Sequence, residues 1–265
     1  MRHGEREDHV DPNIGIRSLR PHDCRITADG KDMAKKLGVY MIGGRCVDPK
    51  KVVILTSPLQ RCVQTAHAIA EGLTVHGTDA AANEELLKSI PIFVEPGLVE
   101  GVYWMHHDIR RNTAITGSAY PPQPIYESDD YLRRNVSFLV RLPNDDSQSA
   151  LCQAPVYGVD HSTGLLTEEV PVATRCKTAA LKLAYNKQFA GKVVICVGHG
   201  QTSTLWFNAL VGLEHSLSDT LSPPYTGVAE LMPALIQENE KDRIVWHSQI
   251  EPFGRPHLGT HESAL

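Results

Sequence analysis

The chain has 265 residues, 42% of them hydrophobic and 22% charged, with a net charge of −5. That is the make-up of an ordinary globular protein with room for one large domain. The acidic balance speaks against a basic nucleic-acid-binding face, and no apolar run is long enough to span a membrane.

The first residues, Met1-Arg2-His3-Gly4-Glu5-Arg6, place two arginines around a histidine and a glycine. A guanidinium fork suits phosphate oxygens, and histidine can be a nucleophile near neutral pH. Alone, such a stretch also fits a frayed basic tail. Arg2 to Arg25 is polar, with turn signals at Asp11-Pro12-Asn13 and Arg20-Pro21-His22, and reads as a loop. A helix is predicted from the N-cap Thr27, with Met33, Leu37, Tyr40 and Met41 at helical spacing and Gly43-Gly44 as its stop.

Lys51 to Leu55 is a short β-branched run of the buried-strand type. It feeds Thr56-Ser57-Pro58-Leu59-Gln60-Arg61, where Ser57 reads as an N-cap and Pro58 as the first helical residue. Arg61 then lies in the opening turn of a helix that ends at Gly72. A strand, a tight turn and a helix start together present unsatisfied N–H groups to an anion.

Ile92-Phe93-Val94 is a further predicted strand, followed by the turn-rich Glu95 to Gly101. No stable period runs from Val102 to Glu127, and residues 102–165 read as an inserted cap. Within it, Ser128 fits an N-cap, and Leu132, Val136, Leu139 and Val140 fit one helical face. A polar loop is expected up to about Gly164, then a helix over Thr174 to Leu183. The strand Val193 to Val197 leads into Gly198-His199-Gly200 and a helix from about Ser203 to Val211. Val228 to Leu231 reads as a late or edge strand, and residues 254–265 as a disordered tail.

Strands alternating with helices predict an α/β fold, a mostly parallel sheet with helices on both faces. No linker or internal repeat divides it, so residues 1–265 read as a single domain. The six cysteines, at 24, 46, 62, 152, 176 and 196, include no C-x-x-C pair, and reduced structural thiols are expected. With no signal-peptide core either, a cytoplasmic protein is the expectation.

Three motifs fall at equivalent places: Arg2-His3-Gly4-Glu5-Arg6, Ser57-Pro58-Leu59-Gln60-Arg61-Cys62-Val63-Gln64-Thr65-Ala66, and Gly198-His199-Gly200. Together and in this order they resemble the histidine phosphatase (phosphoglycerate-mutase-like) superfamily. Arg61-Cys62-Val63-Gln64-Thr65-Ala66, Glu95-Pro96-Gly97-Leu98-Val99-Glu100 and Pro224-Tyr225 further resemble a narrower group. It comprises the phosphatase domains of ubiquitin-associated and SH3-domain-containing proteins, and the insect ecdysteroid-phosphate phosphatases.

The resemblance implies a phosphatase acting through a phosphohistidine on His3, with Arg2, Arg6 and Arg61 binding the phosphoryl oxygens and His199 adding a further donor. Each such charge-assisted hydrogen bond contributes roughly 1.5–3 kcal/mol, and neighbouring arginines should keep His3 neutral. Glu100 is the implied proton donor, with Glu95, Glu84 and Glu85 as rivals. No metal or other cofactor is implied, since the positive charge comes from the protein. The implied substrates are phosphoproteins, including phosphotyrosine proteins, or small phosphorylated alcohols, with no nucleic-acid or membrane partner. A homodimer is compatible with the sequence.

Other readings stay open. The mutase alternative lacks the asparagine expected several residues after R-H-G-E, and a non-catalytic phosphate-binding module would keep the pocket alone. Arg61 could be an exposed helix residue and His199 a buried structural one. His106-His107 reads as solvated rather than metal-binding, because adjacent side chains diverge. The narrower group carries tryptophan where Gly101 stands, so an aromatic wall is either missing or supplied by Tyr103 or Trp104, which could equally pack the cap. The superfamily also places a strand directly before R-H-G, and only Met1 precedes Arg2 here. The expectation is therefore either an upstream continuation or an incomplete sheet.

Overall fold

The strongest β-branched run forms the inner strand of the sheet. The computed structural model describes residues 1–18, 20–75, 79–108, 140–141, 151, 155–160, 162–163, 165–213, 223–238, 241–249 and 252–258. Among these, β1 (Val52–Thr56) pairs in parallel with β2 (Ile92–Val94) on one side and with β6 (Val193–Val197) on the other. The register runs from Val52↔Val193 to Thr56↔Val197. Val140–Arg141 forms β3, parallel to β2, giving the order β3-β2-β1-β6.

Every residue of β1 is buried because both faces of the sheet are covered. Val52 and Ile54 join a core with Ala34 and Leu37 of α3 (Ala28–Gly43) and Ala66, Ile69 and Leu73 of α4 (Gln60–Leu73). Val53 and Leu55 face the opposite layer. There Cys176, Ala179 and Ala180 of α6 (Val172–Ala184) meet Leu205, Trp206 and Ala209 of α7 (Gly200–Val211). Two short helices, α1 (Glu7–Val10) and α2 (Pro12–Arg17), lie near the N-terminus, and α5 (Ala80–Ser89) connects α4 towards β2.

Helices α3 and α4 touch backbone to backbone. A Cβ on Gly38 would collide with the backbone of Ile69 and Leu73, and one on Gly72 with the carbonyl of Lys35. Alanine normally favours a helix over glycine by about 1 kcal/mol. Here Gly38→Ala should instead destabilise by about 1–3 kcal/mol, because overpacking outweighs propensity. Thermal unfolding of the variant, with a melting temperature below that of the parent, is the expected readout.

Several expectations change. Residues 2–25 are not one loop: Asp11 caps α2 by accepting from Asn13 N, and Pro12 opens it. The polar stretch before Gly164 contains β4 (Tyr157–Asp160), which pairs antiparallel with β5 (Leu165–Glu168). Val140 lies in a strand rather than on a helical face, whereas Ser128, Leu132, Val136 and Leu139 fall outside the described residues. Residues 102–108 are helical, and most of the expected cap beyond them is likewise outside. The late strand is a hairpin of β7 (Leu231–Glu238) and β8 (Lys241–Ser248), with Val228 reduced to a single bridge to Gly254. Residues 256–258 of the expected tail form a 3₁₀ turn, while 259–265 are outside the described residues.

Met1 and Arg2 lie beside the end of β6. Gly198 N donates to Met1 O at 2.9 Å and His3 N to Gly198 O at 3.0 Å, around a parallel bridge between Arg2 and Gly198. Among the described residues, no helix is long and apolar enough to cross a membrane.

Candidate active site

The carboxyl ends of β1 and β6 open into the turns that carry Ser57 and His199, and the segment after β2 carries Glu100. This is the edge where open α/β sheets gather ligand-binding groups. His3 is held there from two sides. Its backbone N–H is bonded to Gly198 O, and the adjacent Gly4 N donates to Thr65 Oγ1 of α4 at 2.9 Å.

His3 is 1% exposed, and its Nδ1 lies 2.7 Å from Gly4 O. A carbonyl can only accept, so Nδ1 carries the proton and Nε2 keeps its lone pair in the neutral ring. Burial pushes the His3 pKa well below its ordinary value, and the Arg61 and Arg2 guanidiniums push it the same way.

Arg61 falls in the first turn of α4, as the motif predicts, and is fully buried rather than exposed. Its Nη1 donates to His22 O at 2.6 Å and its Nη2 lies 3.5 Å from Glu100 Oε2. Its Nε is buried and has no hydrogen-bond partner among the described residues. A charged donor left in that state asks for an acceptor. The helix start differs from the sequence reading. Leu59 is the N-cap residue, and the buried carboxylate of Asp23 accepts from Gln60 N at 2.7 Å. Ser57 is thereby released from capping, and its Oγ sits 2.9 Å from His199 Nε2.

His199 is fully buried between Ser57 on Nε2 and Glu100 on Nδ1, with Nδ1 3.2 Å from Glu100 Oε2. Cys62 Sγ lies 3.6 Å from Nε2. Burial, then the charges of Arg61 and His3, hold the His199 pKa well below its ordinary value. Glu100 is 8% exposed, and burial raises its pKa against the opposing pull of Arg61 and Arg6. A buried carboxyl with a raised pKa, next to the His199 imidazole and the Arg61 guanidinium, can hold a proton and give it up. The two rings of His3 and His199 meet edge to face at 5.4 Å.

The rival acids lie elsewhere. Glu95 is buried but accepts from Gly97 N and Leu151 N, both at 2.7 Å, which is a structural use. Glu84 and Glu85 are exposed on α5 against Lys88. Arg6 is near the site but doubly engaged. Its Nε and Nη2 grip Asp8 at 2.8 and 2.6 Å, and Nη2 also reaches Asp108 at 2.9 Å. Burial lowers the Arg6 pKa, but the two carboxylates outweigh it and raise the net value. Arg2 donates from Nη1 to Pro223 O at 2.6 Å, and its guanidinium carbon lies 4.4 Å from the Tyr225 ring centroid.

His106 is buried and His107 exposed, so the first of the pair is not solvated as expected. Tyr103 and Trp104 are exposed, 70% and 48%, and stack edge to face on each other. Cys62 and Cys196 are buried or nearly so, with burial pushing both thiols up to about 12. A Cβ at Gly101 would strike Gln201 Oε1, so the space of an added side chain is already filled. Sequence reasoning missed Ser57 as a partner of His199, the two carboxylates on Arg6, and Tyr225 beside His3. Two signals were there: the serine-proline motif, which reads locally as a cap, and Pro224-Tyr225, which marks a resemblance but not a place beside His3.

Residues 1–86 match the family model of the histidine phosphatase superfamily (branch 1). The crystal structure of the ecdysone phosphate phosphatase of Bombix mori, in complex with tungstate, is 19% identical. The likeness covers 96% of this chain and 91% of that one, with a TM-score of 0.54. A phosphoserine phosphatase of Entamoeba histolytica is 16% identical over 97% of this chain and 96% of its own, with a TM-score of 0.45. No curated protein sequence matches the chain. The first two of the three motifs lie within the matched residues 1–86, and the likeness to the ecdysone phosphate phosphatase is one of fold.

Proposed function

We propose that this chain is a phosphatase that hydrolyses phosphate monoesters through a phosphohistidine on His3. The observation that carries the reading is the His3 ring itself. Its Nδ1–H is spent on Gly4 O, burial and arginines keep it neutral, and the Nε2 lone pair remains for attack.

In the first step Nε2 bonds to phosphorus as the bond to the ester oxygen breaks. Glu100 gives that oxygen a proton, so an alcohol leaves. In the second step water attacks phosphorus, Glu100 takes its proton, the P–N bond breaks, and inorganic phosphate is released with His3 restored. Arg61 and Arg2 supply the positive charge that stabilises the transferring group, with Arg61 Nε as a further donor once the phosphoryl oxygens arrive, and His199 Nε2 only where Ser57 yields it. Arg6 can contribute by field, and by direct contact where Asp8 and Asp108 yield it. Phosphoprotein and small phosphorylated-alcohol substrates both suit this chemistry.

The test is turnover of an aryl phosphate in the presence of a metal chelator. Release of inorganic phosphate, inhibited by vanadate, is expected. Transfer to a second hydroxyl in place of release would favour a mutase. Vanadate binding without turnover would favour a non-catalytic phosphate-binding module.

A further inference from the structure

The sequence leaves open which aromatic side chain borders the site, with Tyr103 and Trp104 as the candidates. Both are exposed and stack only on each other among the described contacts. The ring beside the nucleophile is instead Tyr225, with its centroid 5.7 Å from that of His3.

Tyr225 reaches this position because its loop is stitched to the N-terminal segment. Arg2 N donates to Gly227 O and Thr226 N to His3 O, both at 3.2 Å, and Gly227 N closes the turn onto Pro224 O at 2.9 Å. The same loop holds Arg2 in two ways: Pro223 O accepts from Nη1, and the guanidinium rests on the Tyr225 ring. The ring is itself pinned, because its hydroxyl bonds His9 Nδ1 and it packs edge to face on the His9 ring. Arginine carries about 2 kcal/mol of rotamer entropy. A guanidinium already stacked and bonded has lost much of that freedom before a ligand arrives.

We propose that Tyr225 is the positioning residue for Arg2: its ring face fixes the Arg2 guanidinium for the phosphoryl oxygens. The proposal rests on the phosphate-site reading above. Tyr225 is not an acid or base in this scheme, because its hydroxyl is committed to His9.

The experiment is a double-mutant cycle read by calorimetric binding of inorganic phosphate, with steady-state kinetics beside it. Tyr225→Ala should weaken phosphate binding about tenfold, the scale of a desolvated cation–π contact. Tyr225→Phe, which keeps the ring face, should stay within about twofold of the parent. In an Arg2→Ala background, Tyr225→Ala should add less than about twofold, since the partner is already gone. Tyr225→Leu keeps bulk without a π face and should behave like Tyr225→Ala, which covers the case in which the alanine variant fails to fold. Additive effects, a silent Tyr225→Leu, or a phenylalanine variant as weak as alanine would each overturn the proposal while leaving phosphate binding intact. A parent protein that binds no phosphate would overturn the phosphatase reading and this proposal together.

Discussion

His3→Ala is expected to reduce turnover of an aryl phosphate by roughly 10⁴-fold or more, the scale seen when an enzyme loses its nucleophile. The geometry makes the expectation specific. Of the two imidazoles that meet in the site, His3 keeps its second nitrogen for attack, since His199 is engaged by Ser57 and Glu100. The variant should still bind inorganic phosphate, because Arg2 and Arg61 remain. Binding retained with turnover lost separates chemistry from misfolding. Rapid quenching of the parent enzyme should trap labelled phosphate that is stable in base and lost in acid, and the variant should trap none. Equal activity in both proteins would eliminate His3 as nucleophile. The pH dependence has a definite sign. The His3 pKa is depressed, so kcat/KM should rise as pH rises through a value below 6.5 and be fully developed at neutrality.

Glu100→Gln is the second large expected effect, a loss of about 10²–10⁴-fold. Glutamine keeps the shape and can still bond His199 and Arg61, but it has no proton to give the leaving oxygen. The loss should be largest for alkyl phosphates, whose alkoxides leave poorly, and smallest for activated aryl esters. Burial raises the Glu100 pKa above its ordinary 4.5. The protonated form needed in the first step therefore persists to higher pH, and activity falls as pH climbs through the raised value. In Glu100→Gln that falling limb should vanish, while the rising limb from His3 stays. Glu95→Gln should behave in the opposite manner. It disturbs the backbone bonds at Gly97 and Leu151, so its effect should be read in thermal unfolding rather than in the pH profile.

The elements legible in the sequence were those whose signal is local. Thr27 caps α3 by accepting from Gly30 N. The runs at 52–56 and 193–197 are β-branched and bounded by turns. Arg61 lies in the first turn of α4, where the motif put it. What was hidden depends on partners far away in the chain. Leu231–Glu238 contains Pro233 and good helix formers, and only pairing with Lys241–Ser248 makes it a strand. Ser57 read as a cap because nothing local announces that Asp23 will serve α4 instead. The capture of Arg6 by Asp108 joins residues 102 positions apart. Tyr225 meets His9 across 216 positions.

The order of pairing in the sheet also bears on how the protein is made. Strand β1 gains β2 after a crossover of two helices, α4 and α5, but β6 lies some 140 residues further along, and that pairing closes a long loop. Contacts of such separation form late and slow a domain's folding. His199 arrives only with β6, and Tyr225 only after α7. A nascent chain on the ribosome can therefore pack α3, α4, β1 and β2 early, yet it holds no complete phosphate site until its C-terminal quarter has emerged. Synthesis stalled before α6 should yield an N-terminal layer with apolar residues such as Val53 and Leu55 uncovered, a substrate for chaperones rather than an active fragment.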